Sequence, residues 1–363
     1  MNSPERHGVL LIGCGIMAAV HCAVLSGMKN PKLVAAVDLD VERAKRFKDT
    51  YGFERCGTDY RAELEKKDFD IVLVCTHWPT RLQIIRECFA AGKHVLAEKP
   101  LSIYPDEVDE IIAMANAMRR KLRVGMMERF RPMFSKIVEL IGQGVIGKPL
   151  VYSLMHHQAE APSKLERTWL YHRSLLHGGV TPNVDCGIHK CDLVRWFSGS
   201  DAEQVVSRGC KLEPDSPSNN FNHSIFWMKD GSTLTLEDCW SRNTRPLIYM
   251  WMLGDKGRMQ FEYAGNHDRP MHYSEEDVIH IWHRENPRHE TLYTPCSVKA
   301  VGPQMESFMR EIEEDRDLNW HYDNVRKATE MVMGTVLSEH RNSIVRFPLT
   351  KSDIQDIHKL VTR

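Results

Sequence analysis

Three residues near the N-terminus have the types and spacing of a phosphate-binding turn. Gly13, Gly15 and Ala18 form the pattern Gly-x-Gly-x-x-Ala directly after the apolar residues 9–12. In such a turn the first glycine allows a tight bend, the second lets backbone N–H groups approach a pyrophosphate, and the small third residue lets a helix pack on the strand. The helix N-terminus favours the anion. The residues that we expect to contact a dinucleotide here are Gly13, Gly15, Ile16 and Met17.

Asp38 lies 20 residues after Ala18, at the end of the apolar residues 33–37. A carboxylate in this place accepts hydrogen bonds from the ribose hydroxyls of an adenosine. Because it would repel a 2′-phosphate, Asp38 favours NAD over NADP as the cofactor. The alternative is that Asp38 caps the helix that follows, a role that Asp40 can fill instead.

Lys99 follows the apolar residues 94–97 and Glu98, and it precedes Pro100. Ligands of open α/β sheets lie beyond the carboxyl ends of the strands, so Lys99 is at the edge where chemistry occurs. The alternative is an exposed pair of Lys99 and Glu98 in a loop.

Asp185 and His189 are four residues apart in an unusual stretch that follows Gly178 and Gly179. If the chain is helical from about residue 183, the two side chains share one face. A carboxylate beside an imidazole fixes its tautomer and brings its pKa towards neutrality, so the histidine can take a proton from an alcohol as a hydride leaves. The alternative for His189 is a buried histidine with a purely structural role.

The same stretch contains every common type of zinc ligand. The residues concerned are Asp185, Cys186, His189, Cys191 and Asp192. However, Cys186 and Cys191 are five residues apart and do not share a helical face, whereas structural zinc sites favour cysteines separated by two to four residues. We therefore expect no bound metal.

Short apolar runs alternate with helical patterns in the first third of the chain. The predicted strands are residues 9–12, 33–37, 71–75, 94–97 and 122–126, with a weaker one near 53–56. The predicted helices are residues 16–28, 40–51, 79–91 and 105–120. This alternation is typical of a doubly wound parallel sheet with helices on both faces. It defines a first domain over residues 1–125.

Longer alternating strands, as in an antiparallel sheet, are predicted from about residue 202 to 295, with turns at 229–231 and 254–257. A helix near 132–142 leads into this region. Two helices are predicted to close the chain, one with an apolar stripe at Met305, Phe308, Met309 and Ile312 and one over about 323–340. Residues 126–363 form the second domain.

Composition excludes several classes of protein. The 363 residues carry a net charge of −1 with no block of Lys and Arg, which argues against nucleic-acid binding. No run approaches the roughly 18 apolar residues of a membrane span. Several of the 10 cysteines lie in apolar runs and need no disulfides, so we expect a reducing, cytoplasmic compartment.

Together these motifs resemble the glucose–fructose oxidoreductase, inositol dehydrogenase and rhizopine catabolism (Gfo/Idh/MocA) family of NAD(P)-dependent dehydrogenases. The matching segments cover essentially the whole chain. They are the nucleotide loop from Gly13 through Met17 to His21, the lysine segment 91–100, the segment 124–132, and the helix with Asp185, His189, Asp192 and Trp196. The resemblance implies a Rossmann domain followed by an α/β domain with a large, open, mostly antiparallel sheet.

The resemblance also implies roles for individual residues. His189 would be the general acid/base, Lys99 would hold the reacting hydroxyl, and Asp185 would orient these groups and bind a substrate hydroxyl, while the hydride passes to or from the nicotinamide. Further cofactor contacts are expected from Thr76, Trp78, Glu98 and Lys99. Substrate contacts are expected from Lys99, Arg129, Trp169, His172, Asp185 and His189.

Two positions depart from the family pattern. Ala18 replaces a more frequent glycine, and Arg81 stands where the family often has a histidine. Arg81 affects the expected geometry around the nicotinamide but not the class of protein. Trp78 either packs against the nicotinamide ring or is structural.

The substrate is expected to be a sugar, an inositol or a related polyol, because the segment 152–177 combines aromatic and hydrogen-bonding side chains. Relatives pair through the open face of the second-domain sheet, so we expect a dimer, a tetramer or a higher even oligomer. Trp227, Trp240 and Trp251 offer apolar surface for that contact, or form core. Two alternatives stay open: an enzyme that recycles tightly bound NAD on glycosides, and a non-catalytic NAD-binding sensor.

Overall fold

The computed structural model describes residues 7–159, 181–214, 219–241, 244, 247–262, 276–285, 289–296 and 300–361. The chain divides into two compact units, here called the first and the second unit. The first unit comprises residues 1–127 and 299–325, and the second comprises 128–298 and 326–363. The segment 299–325, which the sequence assigns to the second domain, therefore groups with the first unit.

The first unit contains a six-stranded parallel sheet. Its strands are β1 (Gly8–Ile12), β2 (Lys32–Val37), β3 (Arg55–Gly57), β4 (Ile71–Val74), β5 (His94–Ala97) and β6 (Leu122–Val124). The order is β3-β2-β1-β4-β5-β6, and every neighbouring pair is parallel. This is the strand order of a Rossmann fold, in which successive strands are added first on one side of β1 and then, from β4 onwards, on the other. The predicted doubly wound sheet is confirmed.

Helices connect these strands. They are α1 (Ile16–Leu25), α2 (Val41–Tyr51), α3 (Tyr60–Leu64), α4 (Trp78–Ala90) and α5 (Pro105–Ala117). Local sequence sets their ends. The Asp40 side chain caps α2 by accepting hydrogen bonds from the N–H groups of Glu42 and Arg43, and Gly52 ends it with a φ of 77°.

Helix α8 (Val301–Glu313) also belongs to the first unit. Its apolar stripe of Met305, Phe308 and Met309 packs into the core that β1 and α1 share. The predicted helical stripe is confirmed. Its stripe is separated by more than 200 residues of chain from the rest of that core, so its position depends on tertiary contacts that no local pattern encodes.

The second unit contains a nine-stranded sheet. Its strands are β7 (Pro149–Ala159), β8 (Ala202–Cys210), β9 (Phe221–Met228), β10 (Thr233–Ser241), β11 (Leu247–Gly254), β12 (Gly257–Glu262), β13 (Glu276–His283), β14 (His289–Pro295) and β15 (Val345–Arg346). The order is β14-β13-β12-β11-β7-β10-β9-β8-β15. β7 and β10 pair in parallel, and the other neighbours pair antiparallel. The predicted large, mostly antiparallel sheet is confirmed.

One face of this sheet is buried and the other is half-exposed, as the alternation along β10 illustrates. Leu234 and Leu236 are fully buried, whereas Thr233 and Thr235 are partly exposed. Trp251 lies on the half-exposed face, while Trp240 is buried and belongs to the core. Of the tryptophans expected to offer surface, Trp240 is therefore the exception.

The remaining elements are α6 (Pro132–Gly142), a π-helical turn (Asn183–Gly187), α7 (Ile188–Ser198), α9 (Asn319–Arg341) and α10 (Lys351–Val361). The prediction that two helices close the chain is wrong, because β15 and α10 follow α9. β7 was likewise not predicted. Within the described parts of the chain, no helix combines the length and apolar character needed to cross a membrane.

Replacing Asp40 by alanine tests the cap of α2. The change leaves two N–H groups at the start of the helix without their carboxylate acceptor, so the free energy of unfolding should fall by about 1 kcal/mol. Urea unfolding followed by circular dichroism measures it. The matched control is Asp49→Ala, an exposed residue within the same helix, for which an equal loss would contradict the capping role.

Candidate active site

The turn between β1 and α1 has the geometry that its glycines predict. Gly13 has a φ of +92°, and its N–H donates to the carbonyl oxygen of Val37 at 2.8 Å. A Cβ atom on Gly13 would lie 3.0 Å from the backbone of Cys75. Ala18 is fully buried where α1 packs on the sheet. The backbone at Gly13 therefore requires glycine, and position 18 requires a small side chain.

Gly15 leaves the N-terminus of α1 open. Apart from its chain neighbours, no heavy atom of the described residues lies within 4 Å of the position that a Cβ would take on Gly15, and the next residue, Ile16, is 68% exposed. Among the described residues, no side chain caps this helix. An uncapped, accessible helix N-terminus after a glycine turn fits a dinucleotide pyrophosphate.

Asp38 is held beside this turn at the end of β2. Its Oδ2 accepts a hydrogen bond from the Cys14 N–H at 2.8 Å, and its Oδ1 accepts one from the Asp40 N–H at 2.9 Å. The cap of α2 is Asp40, so the capping alternative for Asp38 does not hold. The carboxylate instead fixes the nucleotide turn, with 11% of its side chain exposed. Its contact with a ribose stays a prediction.

A buried hydrogen bond links α1 to the lysine segment. Nε2 of His21 lies 2.7 Å from Oε1 of Glu98, and both side chains are almost completely buried. Oε2 of Glu98 accepts a hydrogen bond from the Lys99 N–H at 3.2 Å. Glu98 therefore fixes the backbone at Lys99, and its expected contact with the cofactor stays a prediction.

Glu98 is ionised despite its burial. Burial alone would raise the pKa of this carboxyl group, but the hydrogen bond from His21 and the positive charges of Lys99 and Arg81 lower it to about 2. The residue before Lys99 in the chain therefore carries a negatively charged carboxylate, and both oxygens of that carboxylate are already hydrogen-bonded.

Arg81 has a role that sequence reasoning did not find. Its buried guanidinium donates to the carbonyl oxygen of Thr76, from Nε at 2.9 Å and from Nη2 at 2.6 Å. Nη1 donates to the carbonyl oxygens of Glu98 and Pro100, on either side of Lys99. Arg81 thus ties the end of β4 to the end of β5. The sequence signals a special role for Arg81 only by placing it where the family often has a histidine.

Thr76 and Trp78 lie at the start of α4. The Thr76 and Thr80 hydroxyls are 3.0 Å apart, and the Trp78 ring meets Tyr104 edge-to-face with 5.5 Å between centroids. Nε1 of Trp78 is buried without a hydrogen-bond partner among the described residues. The packing on Tyr104 gives Trp78 a structural contact, and its contact with a nicotinamide stays a prediction.

Asp185 and His189 lie in the second unit, on the π-helical turn and the first turn of α7. From residue 181 to residue 190, these two side chains are partly exposed and the other eight residues are buried. The turn packs on the inner face of the nine-stranded sheet, where a Cβ on Gly187 would lie 3.1 Å from the Leu236 side chain. The fold therefore presents an acid and an imidazole from an otherwise buried turn.

A buried polar chain anchors this turn. Nδ2 of Asn183 donates to Oγ of Ser224 at 2.8 Å, and Ser224 and Ser207 share a hydrogen bond of 2.8 Å. Ser207 donates onward to Oε1 of Glu339 in α9 at 2.9 Å. Sequence reasoning missed these residues because they are distant in the chain and polar serines and asparagines carry no positional signal.

Arg129 and Asp192 form a buried ion pair in the second unit. Nε of Arg129 lies 2.7 Å from Oδ2 of Asp192, and Nη2 lies 2.8 Å from Oδ1. The guanidinium also lies 5.1 Å from the ring centroid of Trp196. These contacts give Arg129 a packing role that the sequence did not predict, and its contact with substrate stays a prediction. Trp169 and His172, the other expected substrate contacts, lie outside the described residues.

Comparison with known proteins identifies the family. Residues 7–126 match the model of the NAD-binding Rossmann fold of the GFO/IDH/MocA oxidoreductase family, and residues 134–260 match the C-terminal domain of the same family. The chain belongs to this family of NAD-binding oxidoreductases. The predicted resemblance and the predicted NAD-binding domain are confirmed.

Several relatives are named inositol dehydrogenases. The chain is 31% identical to myo-inositol 2-dehydrogenase of Thermotoga maritima over 56% of this chain and 58% of that protein, less than two thirds of its length. It is 28% identical to inositol 2-dehydrogenase of Rhizobium meliloti over 85% of this chain and 89% of that protein. The structure of scyllo-inositol dehydrogenase from Lactobacillus casei, solved with NAD(H) and scyllo-inositol, has a TM-score of 0.77 at 17% identity, covering 94% of this chain and 99% of that one. At that identity the structural likeness establishes the fold alone.

Alanine at the two glycines of the nucleotide turn should have different effects, on stability at Gly13 and on NAD binding at Gly15. Gly13→Ala should lower the free energy of unfolding by about 1–3 kcal/mol, because of its positive φ and the nearby Cys75 backbone. Gly15→Ala, whose φ is −93° in open space, should leave stability unchanged. It should weaken NAD binding by roughly tenfold, equivalent to about 1.4 kcal/mol. Thermal melting and quenching of NADH fluorescence separate the effects, and unchanged NADH binding by Gly15→Ala would contradict the phosphate role.

Proposed function

We propose that this protein transfers a hydride between NAD and a secondary alcohol of a sugar, an inositol or a glycoside. The observation that supports this most directly is the partial exposure of Asp185 and His189 on a turn whose other residues are buried. A histidine that is fixed by its backbone yet accessible beside a carboxylate suits proton transfer to or from a hydroxyl. Membership of an oxidoreductase family with an NAD-binding domain agrees with this chemistry.

Each catalytic residue has a distinct task in the proposed reaction. In alcohol oxidation, Nε2 or Nδ1 of His189 takes the hydroxyl proton, and in reduction it returns that proton to the oxygen. The ammonium of Lys99 binds the same oxygen and stabilises its partial negative charge. Asp185 accepts a hydrogen bond from a neighbouring substrate hydroxyl and orients it. The nicotinamide, when bound, accepts or supplies the hydride.

The fixed surroundings of these residues support their assignment. The backbone of Lys99 is held by Glu98 on one side and by Arg81 through two flanking carbonyl groups. The turn with Asp185 is held by Asn183 through Ser224. Residues that must meet a reacting atom within a few tenths of an ångström need this kind of support, since a small displacement costs a large factor in rate.

An inositol is the first substrate to test. Relatives in several bacteria are named inositol 2-dehydrogenase, and the solved Lactobacillus casei enzyme holds scyllo-inositol. The further substrate contacts that we propose are Arg129, Trp169 and His172. We also propose a homo-oligomer formed through the half-exposed face of the nine-stranded sheet, where Trp227 and Trp251 lie.

A panel of inositols, sugars and glycosides with NAD should give an increase in reduced nicotinamide absorbance with at least one compound. His189→Ala should then lower kcat by about 10²- to 10⁴-fold because proton transfer loses its donor and acceptor. Lys99→Ala should also lower kcat, because the reacting oxygen loses its positive partner. Steady-state kinetics on each variant measure both losses.

The matched controls are His340→Ala and Lys45→Ala, which replace exposed residues of the same types and should leave the rate unchanged. Denaturing the purified protein and measuring released nucleotide separates the alternatives. Bound NAD without net turnover would favour an enzyme that recycles the cofactor. If neither turnover nor bound nucleotide were found, the proposed dehydrogenase would be rejected in favour of a sensor.

Asp38→Asn tests the cofactor preference. The variant keeps the shape and one acceptor oxygen for the Cys14 or Asp40 N–H but removes the negative charge. The ratio of kcat/KM for NAD to that for NADP should fall by roughly tenfold or more, since like-charge repulsion across about 4 Å amounts to about 1 kcal/mol in water and about 4 kcal/mol near a protein surface, and a tenfold change corresponds to about 1.4 kcal/mol. Equal use of NAD and NADP by the unchanged protein would show that Asp38 does not select the cofactor.

A further inference from the structure

Three side chains of different chemistry meet on the inner face of the nine-stranded sheet. They are His156 of β7, Cys186 of the π-helical turn and Asp238 of β10, and their ligand atoms all lie within 4.8 Å of one another. His156 and Asp238 are direct neighbours in the parallel pairing of β7 with β10. Cys186 enters from the turn that packs over this face. The grouping therefore follows from strand register and the packing of one turn.

Asp238, which supplies the carboxylate of this group, has one oxygen without a hydrogen-bond partner in the described parts of the chain. The residue is fully buried, and the Lys190 ammonium binds Oδ1. Oδ2 has no hydrogen-bond partner among the described residues. A buried carboxylate oxygen left in this state is costly, so it calls for a ligand. Gly187 keeps the space open, because a Cβ there would lie 3.0 Å from Oδ2.

The donor set selects the class of ion. An imidazole nitrogen, a thiolate sulfur and a carboxylate oxygen are the three ligand types of zinc, whereas magnesium and calcium take oxygen ligands. Zinc binds such atoms at about 2.0–2.3 Å in tetrahedral geometry, which places neighbouring ligand atoms roughly 3–4 Å apart. The observed grouping needs only small side-chain adjustments to reach that spacing.

We propose that His156, Cys186 and Asp238 bind one zinc ion. Binding displaces the proton of the Cys186 thiol to solvent and forms bonds from zinc to sulfur, nitrogen and Oδ2. Around the ion lie the thiolate, the Asp238 carboxylate, the Lys190 ammonium and the Asp185 carboxylate, whose Oδ2 is 3.9 Å from the Cys186 sulfur. With His156 neutral, these groups carry a net charge of −2, which a divalent ion neutralises.

Three protein ligands leave a fourth position for a water molecule or another oxygen ligand, the arrangement typical of reactive rather than purely structural zinc. The sequence predicts no metal because Cys186 and Cys191, five residues apart, do not share a helical face. His156 and Asp238 come from two strands, and only the sheet register brings them to Cys186. The proposal does not depend on the dehydrogenase function.

Metal content tests the site directly. The protein without a histidine tag is produced in zinc-supplemented medium, passed over a chelating resin, and analysed by plasma mass spectrometry. We expect one zinc per chain in the unchanged protein and its loss in Cys186→Ser and in His156→Gln. The exposed Cys210 provides the matched control, since Cys210→Ser should keep its zinc. Circular dichroism and thermal melting verify that each variant folds.

Substitution with cobalt(II) provides a second, independent test of whether Cys186 binds the metal. Replacing zinc by cobalt(II) should produce a thiolate-to-cobalt charge-transfer band in the unchanged protein and in Cys210→Ser, and none in Cys186→Ser. The proposal is overturned if the unchanged protein retains no zinc after supplementation. It is equally overturned if folded Cys186→Ser retains zinc and the charge-transfer band, because the metal would then lie elsewhere.

Discussion

The geometry of the lysine segment 91–100 depends on the hydrogen bonds and charges that surround the ionised, buried carboxylate of Glu98. A charge removed from water is stable only where hydrogen bonds and opposite charges replace its hydration. His21 from α1 and the Lys99 N–H supply the bonds, and Arg81 from α4 adds positive charge. A Cβ on Gly125 would lie 3.3 Å from the Glu98 oxygens, so the end of β6 must also stay small. One side chain therefore constrains the middle of α1, the first turn of α4 and the ends of β5 and β6.

In the second unit, neutral amide and hydroxyl groups hold the turn that carries Asp185 and His189. Asp185 and His189 must be accessible, yet the turn that carries them is otherwise buried and needs its polar groups satisfied. Nδ2 of Asn183 meets part of this need through Ser224 and the chain of hydroxyls that leads to Glu339. Burial raises the pKa of Glu339, and hydrogen bonds from Asn219, Ser207 and Asn222 oppose that rise. The network fixes the turn through amide and hydroxyl groups, and its carboxylate lies farther away, in α9.

The parts of the structure that follow from local sequence are those that were predicted. β5 and α6 occupy the predicted residues, and β1 agrees within one residue, because apolar runs and helical periods are local signals. The glycine turn and the helix that carries Asp185 were found for the same reason. β7 was missed although it forms the centre of the larger sheet. Its pairing with β10 and β11 joins segments about 80 to 100 residues apart, which no window of sequence reveals.

Arg81 shows why some contacts of the site could not be predicted from the sequence. In the sequence it was one unusual residue in a helix, and its meaning depends on carbonyl groups 17 and 19 residues away. Once the guanidinium is fixed there, its charge acts on both sides. It helps to keep Glu98 ionised, and it reinforces burial in lowering the pKa of His77 to about 4, so that this neighbouring histidine is neutral near pH 7. Arg81 thus stands as a permanent cation where the family often has a titratable histidine. It cannot exchange a proton near pH 7, so any proton transfer at this edge of the sheet must involve other residues.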